Sequence, residues 1–192
     1  MNDEIRLAGI SGSLRKDSFN TMLLKATAQL LPEGVALAFV SIADIPLYNA
    51  DLDLPDATQR PESVQRFRDM LAAADGLVIA SPEYNYAIPG GLKNAIDWAS
   101  RGKDSPLLHK PIALIGATPG LWGTVRMQMN FYSIFLYLDM KPVYKPEVLV
   151  AQAEKKFDKK GNLIDEMAKK LIREKMEALK EVIIHSRAEI LH

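Results

Sequence analysis

Short apolar segments alternate with longer segments of helical periodicity along most of the chain. The apolar segments are EIRLAGI (4–10), VALAFVSI (35–42), GLVIAS (76–81), PIALIGAT (111–118) and KPVYKPEVLV (141–150). GLVIAS is apolar without alternation, as expected of a strand that is buried on both faces. Strands that alternate with helices predict a parallel β-sheet covered by helices on both faces.

The segments between these strands have apolar residues at helical spacing. They are NTMLLKATAQLL (20–31, with Phe19 as the first helical residue), SVQRFRDMLAAAD (63–75), GGLKNAIDWAS (90–100), TVRMQMNFYSIFLYLD (124–139) and a last helix over 165–191. The charged KKGN (159–162) indicates an exposed loop or a short hairpin, and 48–61 is the longest non-periodic segment. We therefore expect five strands in one sheet. Two windings are common for such sheets, and both place ligands at the carboxyl ends of the strands, near the switch point.

Composition limits the classes of function. A chain of 192 residues is expected to be one α/β domain spanning residues 1–192. Its 24 Lys and Arg balance 24 Asp and Glu, which argues against a nucleic-acid partner and favours a small ligand. The absence of cysteine excludes disulfides, thiolate zinc sites, Cys nucleophiles and iron–sulfur clusters.

Two further features of the sequence concern membranes and metals. No apolar run approaches the roughly 20 residues of a membrane span, and the N-terminal MNDEIR is acidic, so we expect a cytoplasmic protein without a membrane partner. The three histidines, His109, His185 and His192, are scattered, which predicts no metal site.

The segment GISGSLRKDSFN (9–20) places small polar side chains between the first strand and the first helix. It has neither the spacing of a dinucleotide fingerprint nor that of a P-loop. Its candidate phosphate ligands are the hydroxyls of Ser11, Ser13 and Ser18, the Arg15 guanidinium, the Asn20 amide and the N–H groups that begin the helix. The alternative is a polar turn in which Ser18 caps the helix.

Two later loops carry aromatic and glycine residues. In PEYNYAIPGGLKNAIDW (82–98), Glu83, Tyr84, Asn85 and Tyr86 follow a strand and suit a flat heteroaromatic ring that needs stacking and edge hydrogen bonds. In ATPGLWGT (117–124), Gly120 and Gly123 allow a ligand close to the backbone. Because all three loops follow parallel strands, they converge at one sheet edge, where one ligand with a phosphate end and a planar end could contact them.

The strings GSLRKDSFN, SIADIPLYNADL and PEYNYAIPGGLKNAIDW, with the glycine loop followed by Arg126, resemble the NADPH-dependent FMN reductases of flavodoxin-like fold, particularly their quinone, chromate and azo-dye reductase branch. The resemblance implies a three-layer sandwich with strand order 2-1-3-4-5, FMN as cofactor and NADPH or NADH as co-substrate. It also implies a homodimer, which in many members assembles into a homotetramer. The phosphate contacts that it implies are Ser11, Ser13, the Leu14 backbone, Arg15, Ser18 and Asn20, and the ring contacts are Pro82, Glu83, Tyr84, Asn85, the flanking Tyr86, Thr118, Pro119, Gly120 and Gly123.

The chain departs from these relatives at two positions. Trp122-Gly123 stands where a Gly-Gly pair is common, so a bulky ring is expected to border the flavin site and alter the acceptor pocket. Met129 stands where relatives carry a tyrosine that contacts an acid of a neighbouring subunit at the position of Glu147. Met129 cannot make that hydrogen bond, which affects the expected tetramer contact.

The function implied by the resemblance is transfer of two electrons, by a ping-pong mechanism, from NADPH through FMN to a small-molecule acceptor such as a quinone, azo dye, chromate or free flavin. No protein side chain is expected to act as a catalytic residue, because the flavin carries the chemistry. The alternatives are a flavodoxin-type electron carrier and a protein that holds FMN structurally or as a sensor. Carriers are usually strongly acidic, so the net charge of +0 argues against the first. Arg101, Lys103 and Arg126 are candidates for the ribose phosphate of NADPH.

Overall fold

A computed structural model describes residues 4–53 and 60–190. Five parallel strands form one sheet in the order β2-β1-β3-β4-β5. Their bounds are β1 Ile5–Ser11, β2 Val35–Val40, β3 Gly76–Ala80, β4 Pro111–Ala117 and β5 Lys141–Val150. The predicted strand count and the flavodoxin-like strand order are therefore confirmed.

Within the described residues, five α-helices and two short 3-10 helices connect and cover the strands. The α-helices are α1 Phe19–Ala28, α2 Glu62–Ala72, α3 Gly90–Ala99, α4 Val125–Leu138 and α5 Glu166–Ile190, and the 3-10 helices are Ala50–Leu52 and Ala153–Lys155. Helix α1 ends at Ala28, three residues before the predicted Leu31. The N–H groups of Gln29 and Leu30 bond to carbonyls three residues earlier, and Pro32 disfavours helical backbone at Leu31. None of the helices in the described ranges combines the length and apolar character needed to cross a membrane.

The core consists of two apolar layers, one on each face of the sheet. On one face, Val78 and Ile115 pack with buried residues of α1 and α5, such as Leu23 and Ile172. On the other face, alternate strand residues pack against buried residues of α2, α3 and α4, such as Phe131 of α4. Because β3 and β4 supply side chains to both layers, their near-continuous apolar sequence is explained.

The strand order creates the switch point at which the chain changes direction. After β1 the chain passes to α1 on one face of the sheet, whereas after β3 it passes to α3 on the opposite face. Since β1 and β3 are neighbours, the loops that follow them diverge and leave a crevice at the carboxyl ends of the strands.

Two segments lack a clear periodicity in the sequence. Around KKGN, Phe157 pairs with Leu163 in an antiparallel bridge, so the short hairpin is the observed structure. Of the non-periodic segment 48–61, residues 54–59 lie outside the described residues, as do residues 1–3 of MNDEIR and residue 191 of the last predicted helix.

Helix α5 buries a lysine against β5. Lys175 is 1% exposed, and its Nζ donates a hydrogen bond to the Pro146 carbonyl at 3.0 Å. Burial disfavours the charged ammonium and lowers the pKa of Lys175 to about 8, while the Glu147 carboxylate opposes the shift.

Candidate functional site

Three loops leave the carboxyl edge of neighbouring strands. Loop 1 (residues 12–18) follows β1, loop 2 (residues 81–89) follows β3 and loop 3 (residues 118–124) follows β4. The three strands are adjacent in the sheet. The predicted convergence of the loops at one edge is thus confirmed by the strand order.

Loop 1 folds back on itself and contacts β3. The Gly12 N–H donates to the Ala80 carbonyl at 2.8 Å, and the Arg15 N–H donates to Ser13 Oγ at 3.3 Å. Ser11 Oγ and Thr21 Oγ1 share a hydrogen bond of 2.9 Å. The Arg15 side chain is exposed, with its guanidinium carbon 5.9 Å from the centre of the Phe19 ring, and the Leu14 side chain is exposed beside it.

Ser18 is the N-cap of α1. Its Oγ accepts a hydrogen bond from the Asn20 N–H at 3.2 Å, so the capping role considered as an alternative is present. The cap uses a hydroxyl lone pair and leaves the hydroxyl hydrogen available for a ligand. The positive end of the α1 dipole points into the same loop, and it favours an anion there.

Asn20 has a different environment from the one expected of a free phosphate ligand. Its Nδ2 donates to the Ala117 carbonyl at 2.9 Å, and its Oδ1 accepts from the Ala117 N–H at 2.8 Å. The pairing of β3 with β4 ends at Ala80 and Ile115. Two positions further along β4, the Asn20 amide takes the place of a β3 residue and bonds the backbone of Ala117. Asn20 therefore holds the start of α1 against the end of β4, and its phosphate contact stays a prediction.

Loop 2 contains a tight turn with an unusual backbone. The N–H groups of Tyr84 and Ala87 each donate to the other residue's carbonyl, at 3.2 and 2.9 Å, and φ is +50° at Asn85 and +64° at Tyr86. Two positive φ values define a type I′ turn, a backbone that asparagine adopts readily and tyrosine rarely. This conformation at Tyr86 costs about 1–2 kcal/mol, and strain of this kind is concentrated at functional sites.

Contacts with α4 support the strained turn. The Arg126 guanidinium carbon lies 4.1 Å from the centre of the Tyr86 ring, and Asn130 Nδ2 donates to the Tyr86 carbonyl at 3.2 Å. The rings of Tyr84 and Tyr86 are exposed, whereas Pro82 is buried at the base of the loop. The turn therefore presents two aromatic side chains on a well-supported backbone.

Glu83 connects loop 2 to the start of α4. Glu83 Oε2 accepts hydrogen bonds from the N–H groups of Arg126 at 2.9 Å and Met127 at 3.1 Å. Arg126 Nη1 lies 3.4 Å from Glu83 Oε1. Since Thr124, the N-cap of α4, makes no side-chain capping bond, Glu83 supplies the cap from another loop. Its predicted ring contact is untested, but its carboxylate is occupied by α4.

Loop 3 is hydrogen-bonded to the segment that follows β5. The Thr118 N–H donates to the Val150 carbonyl at 2.9 Å, and the Gln152 N–H donates to the Gly120 carbonyl at 3.0 Å. Gly123 has φ of +64°, and a Cβ there would approach Leu149 Cβ to 2.8 Å. Pro119 and Gly120 are exposed beside these contacts.

The residues present fit FMN, a molecule with a phosphate at one end and a flat ring at the other. Loop 1 combines hydroxyl groups, the exposed Arg15 cation and a helix N-terminus, which suit a phosphate dianion. At Gly120, φ is not positive and a Cβ would meet only Thr118 Oγ1, at 3.6 Å, so protein packing does not require glycine there. A ligand close to the backbone would explain its missing side chain.

Several contacts of the site have no signal in the local sequence. The partners of Asn20 and Glu83 lie 97 and 43 to 44 residues away, and Gln152 belongs to a segment with no candidate chemistry. Of the three cations considered for the ribose phosphate, Arg126 stacks on Tyr86 of loop 2, Arg101 stacks on Tyr48 at 5.0 Å, and Lys103 is exposed in the turn after α3. Among residues 4–53 and 60–190, no three acidic or histidine side chains cluster as metal ligands would; His192 lies outside these ranges.

Comparison with known proteins identifies similar chains. The family model described as NADPH-dependent FMN reductase matches residues 5–155. An NAD(P)H-dependent FMN reductase of Pseudomonas aeruginosa is 44% identical over 179 residues, covering 93% of this chain and 95% of the relative. A quinone reductase of Escherichia coli K12 is 39% identical over 168 residues, covering 86% and 88%.

Solved structures show the same likeness. FerB, a flavoenzyme NAD(P)H:(acceptor) oxidoreductase from Paracoccus denitrificans, superimposes with a TM-score of 0.83 at 33% identity, covering 94% of this chain and 98% of that one. An azoreductase from Bacillus anthracis shares the fold at a TM-score of 0.58 and 15% identity, covering 93% and 98%.

Proposed function

The chain belongs to the NADPH-dependent FMN reductase family, and from this premise we propose that it passes two electrons from NADPH, through bound FMN, to quinones or similar acceptors. Its relatives include enzymes named as FMN reductases and quinone reductases, and the chain is accordingly an oxidoreductase. The observation that carries the proposal is that loops 1, 2 and 3 meet at one sheet edge. Loop 1 suits a phosphate, while loops 2 and 3 present aromatic side chains and open backbone.

Loop 1 is the proposed phosphate site. Ser11, Ser13 and Ser18 are the hydroxyl donors, the Leu14 backbone lies between them, and the exposed Arg15 supplies the positive charge. Charge-assisted hydrogen bonds to a phosphate are stronger than neutral ones, so Arg15 is expected to contribute most to affinity. Asn20 contributes by holding loop 1 against β4.

Loops 2 and 3 are the proposed ring site. The turn uses the N–H groups of Tyr84 and Ala87 for its own hydrogen bonds, so those of Asn85 and Tyr86 are the proposed donors to the ring edge. Donors held in place by a rigid turn stabilise negative charge that grows on the ring without reorganising. Pro82, Thr118, Pro119, Gly120 and Gly123 shape the backbone around it.

FMN, when bound, supplies the redox chemistry by accepting a hydride and passing two electrons on. The residues of the site bind and orient it, and no protein nucleophile is required. If NADPH and the acceptor use one exposed face in turn, the kinetics are ping-pong. Azo dyes, chromate and free flavin as acceptors, the choice between NADPH and NADH, and the cytoplasmic location stay predictions.

We also propose that the chain acts as one domain within a homodimer. Support comes from α4, where the apolar side chains of Met129, Leu136 and Tyr137 are exposed on one helix. Monomeric proteins rarely leave such groups of apolar side chains in water. Because Met129 stands in place of the tyrosine that contacts a neighbouring subunit in the relatives, a tetramer would need a different contact between subunits.

The test is the visible spectrum of the FMN-loaded protein without oxygen. NADPH is added first and 1,4-naphthoquinone second. We expect NADPH to bleach the flavin absorbance and the quinone to restore it fully. FMN that binds without being bleached by NADPH would indicate the flavodoxin-type carrier, or a structural or sensing role. Failure to bind FMN would contradict the phosphate site in loop 1.

A further inference from the structure

Loop 3 exposes two large apolar side chains beside the proposed ring site. The side chains of Leu121 and Trp122 are 70% and 71% exposed. A tryptophan carries a large apolar surface that proteins usually cover, so an indole left in water beside a ligand site indicates a contact surface. Trp122 is also the residue at which this chain departs from the Gly-Gly pair that is common in the reductases it resembles.

The backbone beneath these side chains is firmly held. On one side, the Ala153 N–H donates to the Thr118 carbonyl and the Gln152 N–H donates to the Gly120 carbonyl, both at 3.0 Å. On the other side, Gly123 packs against Leu149. Both ends of the Leu121-Trp122 pair are therefore attached to β5 and the segment after it.

The two tryptophans of the chain have opposite environments. Trp98 is 0% exposed, and its indole N–H donates to the Pro46 carbonyl at 2.8 Å. The Trp122 indole, by contrast, has neither a hydrogen bond nor a ring contact with any residue in the described ranges. Trp98 is a core residue, whereas most of the Trp122 side chain is accessible to a ligand.

Trp122 and the tyrosines of loop 2 lie on loops that follow two neighbouring strands. Strands β3 and β4 are adjacent, and Glu83 joins loop 2 to Arg126, four positions after Trp122. Tyr84 and Tyr86 flank this joint with exposed rings. Three exposed aromatic side chains thus lie on the two neighbouring loops of the proposed ring site.

We propose that Trp122 determines acceptor specificity by stacking on planar aromatic acceptors such as quinones. This inference rests on the proposed function, because it assigns a substrate class to the same site. A stacked aromatic pair favours a flat, apolar molecule, whereas a compact hydrated anion such as ferricyanide has no face on which to stack. The Trp122 indole therefore biases the enzyme towards aromatic acceptors over inorganic ones.

The first test compares two acceptors in one enzyme. NADPH-dependent reduction of 1,4-naphthoquinone and of ferricyanide is measured for the wild type, Trp122→Ala, Trp122→Phe and Leu121→Ala, all loaded with FMN. We expect Trp122→Ala to lower the ratio of the two kcat/KM values by about 2- to 12-fold, and Trp122→Phe to restore most of it. Leu121→Ala removes an equally exposed side chain without a π face and should change the ratio less than about twofold. An unchanged ratio in Trp122→Ala, or an equal fall in Leu121→Ala, would overturn the proposal.

The second test is independent of turnover. The emission of Trp122 is obtained as the difference between the wild type and Trp122→Phe, and 1,4-naphthoquinone is added to both FMN-loaded proteins without NADPH. We expect saturable quenching of the Trp122 emission. Emission that naphthoquinone does not quench, or that iodide cannot reach even without ligand, would overturn the proposal; the latter would place Trp122 under another subunit.

The two levels of the proposal can fail separately. A wild type that reduces 1,4-naphthoquinone with NADPH but shows no Trp122 effect retains the proposed function and loses the inference. A wild type that reduces neither acceptor loses the proposed function itself.

Discussion

Replacing Asn20 by alanine removes an amide that pairs with both backbone groups of Ala117. Ala117 is 1% exposed and Asn20 is 3% exposed, so water cannot easily replace the lost partners. The Ala117 N–H and carbonyl, now bonded at 2.8 and 2.9 Å, would both be left unsatisfied at the end of β4. The perturbation therefore leaves two buried polar groups without partners.

The magnitude follows from those two groups. A buried backbone group without a partner costs about 1–3 kcal/mol, and a total of about 3 kcal/mol is expected at a sheet edge where some relaxation is available. For a chain of this length, each kcal/mol lowers Tm by about 2–4 °C. We expect Asn20→Ala to lower Tm by about 6–12 °C.

The assay is thermal unfolding of the protein without FMN, followed by circular dichroism at one protein concentration. Omitting FMN removes any effect of a direct phosphate contact. Asn94→Ala is the matched control, because the Asn94 amide also joins two backbone groups, accepting from the Tyr48 N–H and donating to the Pro46 carbonyl, both at 2.8 Å. Asn94 is only partly buried, so water replaces its bonds and we expect a loss of about 1 kcal/mol, or about 2–4 °C.

This account would be refuted if the Tm of Asn20→Ala without FMN were no lower than the Tm of Asn94→Ala. Asn20 would then act through the ligand instead of through β4. In that case FMN affinity would fall while the stability of the FMN-free protein stayed near that of the wild type.

Three further predictions concern other groups. Glu83→Ala removes the cap from the N–H groups of Arg126 and Met127, and we expect urea unfolding to show a loss of about 1–2 kcal/mol, with a smaller loss for Glu83→Gln, which keeps an acceptor. Lys175 has a pKa of about 8 in the folded protein against an ordinary value of 10.5, so the unfolded chain binds more protons between these values and stability rises with pH across that window. We expect a rise of up to about 3 kcal/mol in urea unfolding that Lys175→Met lacks. Arg15→Ala should raise the FMN dissociation constant about 10- to 100-fold, measured by quenching of flavin fluorescence.

Each of these predictions has a contradicting outcome. Equal losses in Glu83→Ala and Glu83→Gln would show that the acceptor at this position is not what stabilises α4. If Lys175→Met showed the same rise in stability between pH 8 and 10.5 as the wild type, another group would be responsible for it. Unchanged FMN affinity in Arg15→Ala would remove Arg15 from the phosphate site.

The fold was predictable to a large extent because it is encoded in local periodicity. GLVIAS and PIALIGAT are apolar without interruption since β3 and β4 supply both core layers. The residues alone left two strand orders open, because periodicity within a segment carries no information about which strand lies beside it. The resemblance to the reductase family supplied the order 2-1-3-4-5, which the structure confirms.

The candidate site was predictable only in its position. Ser18 has the local signature of a helix cap and is one, and α3 begins at Gly90, the first residue of the predicted helical segment. The type I′ turn at Asn85 and Tyr86 was not foreseen, because tyrosine is a poor residue for positive φ. Contacts with Arg126 and Asn130 on α4 support that backbone.

The sequence by itself determined the strands, the helices and the three loops at one sheet edge, since spacing and turn chemistry act between residues close along the chain. The tertiary structure decided which loop side chains remain available to a ligand. Asn20 and Glu83 are occupied by backbone groups 97 and 43 to 44 residues away, while Arg15 and Trp122 stay exposed. The physical reason is that a buried N–H or carbonyl without a strand partner binds the polar side chain that folding places beside it, and local sequence does not record that neighbour.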